Sequence, residues 1–373
     1  MLSRDDFLIR DDIIFFNHGA FGACPKPVFA QYQAWQLELD RQPIEFLLRR
    51  RAGLMEGARA CIAEYFNVLA SDIVFVSNAT TGLSRAIRSL PLQPGDEILT
   101  TDHEYGAVNR LLDFVAEGAG ARIVRSKARL PYKSDAAFVD DLFADARPAT
   151  RAIVISHITS PSSLIFPVER VCRRARQRGI ITIIDGAHAP GQLPVDLSAI
   201  GADMYSGNFH KWLCAPKGSG FLHVRPQRQA LIDPLVISHG VHEGGDFVER
   251  NEWLGTRDIA AFLTVPAAIE FQRQHDWHTV RAECHQLAAL AQSRLCDHFS
   301  LAPYSEKQFS QMATIPLPDC DVESVPQILY DQHRIEAPVG AFLDRCEIRV
   351  SVAAYNTADE IDLLTDVLTR LID

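Results

Sequence analysis

Over the first two thirds of the chain, short runs centred on apolar residues alternate with longer stretches in which apolar positions recur every three or four residues. The runs predict strands at 73–77, 97–101, 121–125, 152–156, 180–184 and 221–224. The three-to-four spacing predicts helices at 28–40, 54–66 and 168–178, and Leu83, Ala86, Ile87 and Leu90 carry the same period. Strands that are apolar throughout, alternating with helices, specify an α/β fold with a mostly parallel sheet covered on both faces. The alternation stops after Val224. Residues 227–257 read as an irregular excursion, and then helices at 259–272 and 280–298 precede a strand–helix–strand–helix series at 312–317, 322–332, 347–352 and 359–371. This change of pattern divides the chain into a large α/β domain, 20–258, and a smaller α+β domain made of 1–19 and 259–373.

In an open parallel sheet, ligands bind beyond the carboxyl ends of the strands, and the polar clusters of this chain fall there. The strand at 73–77 runs into Asn78-Ala79-Thr80-Thr81-Gly82, a small polar turn before a helix. There the free N–H groups and the positive end of the dipole favour an anion; Thr80 and Thr81 also suit helix capping. The strand at 97–101 leads to Tyr105, and the strand at 180–184 ends on Asp185, with His188 three residues on. A carboxylate at the end of so apolar a strand is costly unless it meets a cation. Asn17 to Pro27, NHGAFGACPKP, reads as a structured loop with a helix opening near Pro27.

The stretch from Asp203 to Phe221 contains Lys211 among aromatic and apolar neighbours, flanked by Asn208 and His210. A desolvated ammonium sheds its proton readily and becomes a nucleophilic amine. Lys211, Asp185, a stacking ring at Tyr105 and a phosphate cup at Thr80 and Thr81 together describe a site for pyridoxal 5'-phosphate.

Composition narrows the partners. The formal charge is -10 and the pI about 5.7, which disfavours nucleic acid and anionic membranes, both of which call for basic patches. No apolar segment approaches the roughly 20 residues of a membrane span, and no signal peptide is visible. The eight cysteines, at 24, 61, 172, 214, 284, 296, 320 and 346, include no CxxC pair; no metal site is expected, and reduced thiols suit a cytoplasm.

The segments NHGAFGACPKP, SNATTGL, TDHEYGAVNRLL, SHITSPSSLIFPV, IDGAHAPGQ, SGNFHKWLCAPKGSGFL, WLGTRD and IRVSVAAYNT resemble the class V branch of the fold-type I pyridoxal-phosphate enzymes, and within it the isopenicillin N epimerase-like proteins. The resemblance implies that Lys211 forms a Schiff base with the cofactor and Asp185 pairs with its ring nitrogen. His188 would contact the ring oxygen, Tyr105 would stack on the ring, and Thr80, Thr81, Asn208 and His210 would hold the phosphate. It further implies a homodimer in which Gly255 and Thr256 reach the neighbouring subunit's phosphate, and it assigns Arg349 to the substrate carboxylate. The loop residues Asn17, His18 and Gly19 are expected to line the substrate pocket.

The substrate is therefore expected to be an amino acid or a derivative carrying a carboxylate, and the reaction to be epimerisation, with β-elimination or transamination as alternatives. Related desulfurases carry a nucleophilic cysteine shortly before the carboxylate-binding arginine. Residues 336–342 contain none, and Cys346 reads as packing.

Overall fold

The computed structural model describes residues 2–242, 244–306 and 310–372; Glu243, within the irregular excursion, lies outside them. Its strands, in chain order, are β1 (Ile14–Phe15), β2 (Ile73–Val76), β3 (Glu97–Thr101), β4 (Arg122–Ser126), β5 (Thr150–Ser156) and β6 (Ile181–Gly186). They continue with β7 (Met204–Asn208), β8 (Gly220–Val224), β9 (Met312–Pro316), β10 (Ile335–Glu336), β11 (Val339–Phe342) and β12 (Arg345–Ser351).

Seven of these form one sheet in the order β2-β8-β7-β6-β5-β3-β4. All neighbours are parallel except β8, which runs antiparallel to both β2 and β7. The six strands read from the apolar runs lie within two residues of their expected bounds. β7 went unread because its sequence, MYSGN, is half polar. Its polar atoms are nonetheless satisfied inside the protein: Ser206 Oγ donates to Phe221 O at 2.8 Å and to Ala79 O at 3.2 Å. The helix Ala79–Arg88 lies against this strand so tightly that a Cβ at Gly82 would fall 2.1 Å from Ser206 Oγ.

A second sheet, β11-β12-β9, is antiparallel. It packs against the long helix Trp277–Phe299, and that helix in turn against Ala358–Ile372. β11 went unread because Pro338 and Gly340 flank and interrupt it. The chain start joins this region through the parallel pair β1–β10. Ile348 and Val350 of β12 are fully buried, as are Leu295, Ile361 and Leu364, so one face of the sheet closes this apolar core. Arg349 lies on the other face, by the period of two in a strand.

The NHGAFG loop is more ordered than its glycines suggest. It holds a short helix, His18–Phe21, before the helix Lys26–Arg41. Gly22 has φ +70°, and a Cβ there would sit 1.9 Å from His210 O. Only glycine lets this loop close against the backbone beside Lys211. Among the described residues, no helix is long and apolar enough to cross a membrane.

Candidate active site

Parallel strands β5, β6 and β7 end side by side, with Ser156, Asp185 and Ser206 in register. Asp185 is buried, and its Oδ1 accepts from the Ala187 N–H at 2.9 Å. Burial raises its pKa, opposed by that bond and by the Lys211 charge. Lys211 follows β7 after Phe209 and His210, in a turn lined by buried Phe209, Trp212 and Leu213. Desolvation, with the Arg349 guanidinium adding to it, lowers the Lys211 amine to about 7, while Asp185 pulls the other way.

Proton bookkeeping at His188 leads independently to a neutral amine. The Trp212 indole can only donate, and it reaches His188 Nδ1 at 3.3 Å; that nitrogen therefore accepts and Nε2 carries the hydrogen. His188 Nε2 lies 3.1 Å from Lys211 Nζ. The amine must accept this hydrogen, and only the unprotonated form has the lone pair to do so. Because the neutral fraction grows with pH through about 7, the rate at which the free protein captures pyridoxal phosphate should rise several-fold from pH 6 to pH 8 and then level off. Stopped-flow absorbance would follow it, and Arg349→Gln should move the midpoint upward by removing a charge that destabilises the ammonium.

At the turn after β2 the helix cap is Asn78, not a threonine: its side chain accepts from the Thr81 N–H at 2.9 Å. The helix accordingly opens at Ala79, earlier than the apolar spacing indicates. Thr81 Oγ1 bonds Ser77 Oγ at 2.8 Å and Asn78 Oδ1 at 3.1 Å, and Thr80 is exposed in the first turn. Asn208 Oδ1 accepts from the Ala79 N–H at 2.8 Å, which ties this turn to the end of β7. His210 Nδ1 faces Ser219 O at 3.3 Å, and burial lowers its pKa to about 4.

Arg349 comes from β12, far along the chain, and donates to Ser160 O at 3.0 Å and Ser160 Oγ at 2.9 Å. Its buried Nε has no partner. Beside it a cavity of about 460 Å³ is lined by Glu104, Tyr105, Ser160, Glu347 and Arg349, among others. Tyr105 is 50% exposed, an available ring face rather than a core aromatic.

The NHGAFG loop residues are placed differently from the expected pocket lining. His18 does not face a substrate pocket. Its ring is buried, Nδ1 meets Tyr355 Oη at 2.8 Å and Nε2 meets Lys211 O at 3.0 Å, so both nitrogens are occupied, one of them by the lysine backbone. Gly19 is packed as well, since a Cβ there would lie 2.8 Å from Met312 Sδ and 2.9 Å from Ser351 Oγ. Asn17 bridges to Ser351 and donates to Glu336 Oε1 at 3.1 Å, with its own Oδ1 buried and unpartnered. Gly255 and Thr256 are not brought to the cluster in a single chain. Thr256 is exposed, and a Cβ at Gly255 would meet nothing within 4 Å.

Glu104 was not read from the sequence. It is buried with Thr101 Oγ1 at 2.7 Å and Ser156 Oγ at 2.6 Å, and burial, reinforced by the Asp185 charge, raises it to about 8. A raised folded pKa contributes stability below the unfolded value, and that stability is lost as pH rises through about 8. Glu104→Gln should therefore melt above the parent at pH 9 and near or below it at pH 6, by a few kcal/mol at most, as calorimetric scans at the two pH values would show.

The donors present fit pyridoxal phosphate: a neutral amine, a buried carboxyl with one backbone partner, an available aromatic face and an exposed Thr80 in the first turn of a helix. Comparison with known proteins agrees. Residues 25–364 match the family model Aminotransferase class-V. An isopenicillin N epimerase of Amycolatopsis lactamdurans is 33% identical, over 99% of this chain and 98% of that protein. A putative L-cysteine desulfhydrase of Oryza sativa subsp. japonica is 28% identical over 95% of this chain and 82% of that one. The fold superposes on a cysteine desulfurase from Thermococcus onnurineus NA1 with TM-score 0.86 at 20% identity, covering 99% and 97% of the two chains.

Fold and donor set thus define a pyridoxal-phosphate-dependent enzyme. The chain belongs to the aminotransferase class-V family.

Proposed function

We propose that this enzyme changes bonding at the α-carbon of an amino acid, and that the reaction is an epimerisation. The supporting observation is the Lys211 amine, held neutral by His188 within reach of the Arg349 charge. The cofactor, when bound, supplies the electron sink that acidifies the α-hydrogen. Asp185 holds the ring nitrogen in its protonated form, and Thr80, Thr81, Asn208 and His210 receive the phosphate. Arg349 takes the α-carboxylate, for which a planar fork is suited. Lys211 removes the α-hydrogen as general base. Inversion calls for a second proton carrier on the opposite side. With His18 committed to the lysine backbone, the hydroxyl of Tyr105, which lines the same cavity as Arg349, is the candidate.

Elimination is the alternative that a specific observation keeps in play. A chain 28% identical carries a desulfhydrase name, and elimination uses the same Lys211 base. Persulfide chemistry is disfavoured: β11 has no cysteine, and Cys346 Sγ is engaged with the backbone of Cys320 at 3.3 Å. Incubation with single enantiomers in heavy water separates the two readings. Deuterium at the α-carbon with the opposite enantiomer appearing supports epimerisation; release of keto acid and ammonia without inversion contradicts it.

The functional unit is read as a homodimer. Phe21, Leu37, Ile44 and Leu48 are 70%, 54%, 57% and 73% exposed, an apolar surface suited to a second copy, and the exposed Gly255-Thr256 turn would complete the partner's phosphate site. The two-domain division, 20–258 against 1–19 with 259–373, belongs to the same proposal. It places the cavity between the sheet that carries Lys211 and the sheet that carries Arg349.

A further inference from the structure

The strand that carries Arg349 presents a second charged group to the same cavity. Ile348 and Val350 are buried at 0% in the core, so Glu347, Arg349 and Ser351 share the opposite face. The cavity wall includes Asp102, Glu104, Glu347 and Arg349, which is three carboxyl groups against one guanidinium. Once ionised, these carboxyls would repel a substrate whose far end is acidic.

The three carboxyls are not equivalent. Glu104 receives two hydroxyl donors, and Asp102 Oδ1 accepts from the Ala128 N–H at 2.9 Å while its own side chain turns toward His103. Glu347, only 8% exposed, has among the described residues the single donor Tyr304 Oη, 3.1 Å from Oε2. Among the described residues it forms no ion pair within 4.0 Å, and the Arg349 guanidinium is turned to Ser160 instead. Burial holds the Glu347 carboxyl up at about 8 against the Tyr304 hydrogen bond and the Arg349 charge, so an entering cation would add to the counter-charge that the described residues provide. There is room for it, because the residue paired with Glu347 across the sheet is Gly340, where a Cβ would meet nothing within 4 Å.

We propose that Glu347 is a specificity residue that receives the distal cation of a basic α-amino acid whose α-carboxylate lies on Arg349. Neighbours on one face of a strand stand about 7 Å apart, which is within the reach of a lysine- or ornithine-type side chain. The assignment rests on the reading of Arg349 as the carboxylate site. It deepens that reading by naming the substrate class.

The test is calorimetric titration of the cofactor-loaded protein with free L-lysine, L-ornithine, L-norleucine and L-glutamate, with the visible absorbance recorded alongside. The basic amino acids should bind at least about tenfold more tightly than norleucine, and Glu347→Gln should bring that ratio to within about threefold. Equal binding of lysine and norleucine in the parent protein, tighter binding of glutamate, or a ratio unchanged by Glu347→Gln would each overturn the proposal. The parent comparison stands even if the variant misfolds. Heats of binding are read with or without a chromophore: a missing visible band would count against the Lys211 linkage alone, whereas a normal band with no preference for the basic side chain would count against Glu347 alone.

Discussion

Replacing Lys211 by alanine is expected to yield a folded protein that binds pyridoxal phosphate weakly, shows no covalently linked cofactor and has lost at least about a thousandfold of its α-hydrogen exchange. The size of the loss follows from the number of jobs this side chain has. Its amine is held in the unprotonated state through the hydrogen of His188 Nε2 at 3.1 Å. It is also the base whose proton affinity the Arg349 charge lowers and the Asp185 charge raises. The fold should survive, because the substitution removes a desolvated amine and leaves the backbone bond from Lys211 O to His18 in place. An exchange assay in heavy water and a thermal melt together distinguish loss of chemistry from loss of structure.

The second large effect belongs to Arg349. Its guanidinium is desolvated, bonded to Ser160 and left with an unpartnered Nε. Arg349→Gln should weaken binding of substrate α-carboxylates by about 2–5 kcal/mol, as is usual when one member of a buried charge pair is lost. That corresponds to roughly 30- to several-thousandfold in Kd. Adding Ser160→Ala to Arg349→Gln should cost little more, since Ser160 acts through the arginine. Titration of both variants with a fixed α-amino acid measures it, and a loss below threefold in Arg349→Gln would move the carboxylate site elsewhere.

What could be read from the chain follows from how each signal is encoded. Apolar runs such as Ile73–Val76 mark sheet strands because burial on both faces leaves no polar positions. β7 escaped because its serine and asparagine are buried on polar partners, which only the neighbouring strand and helix can supply. The order Thr80, Tyr105, Asp185, His188, Lys211 was legible as chemistry because strand ends are where an α/β sheet exposes function. The same sequence gave no warning that His18 turns inward to the lysine backbone, since a histidine in a glycine-rich loop looks available until its neighbours are in place. Glu104 and Glu347 were invisible for the converse reason. Carboxyls in a sequence read as surface, and only burial beside Ser156 and Tyr304 shows them to be protonatable groups of a cavity.

Activity turns on one covalent attachment. Loading the protein with pyridoxal phosphate, reducing it with borohydride and sequencing the proteolytic peptides by mass spectrometry should find the phosphopyridoxyl group on Lys211, and should find it absent in Lys211→Ala. Its attachment to Lys217 instead, or no stable label at all, would contradict the assignment.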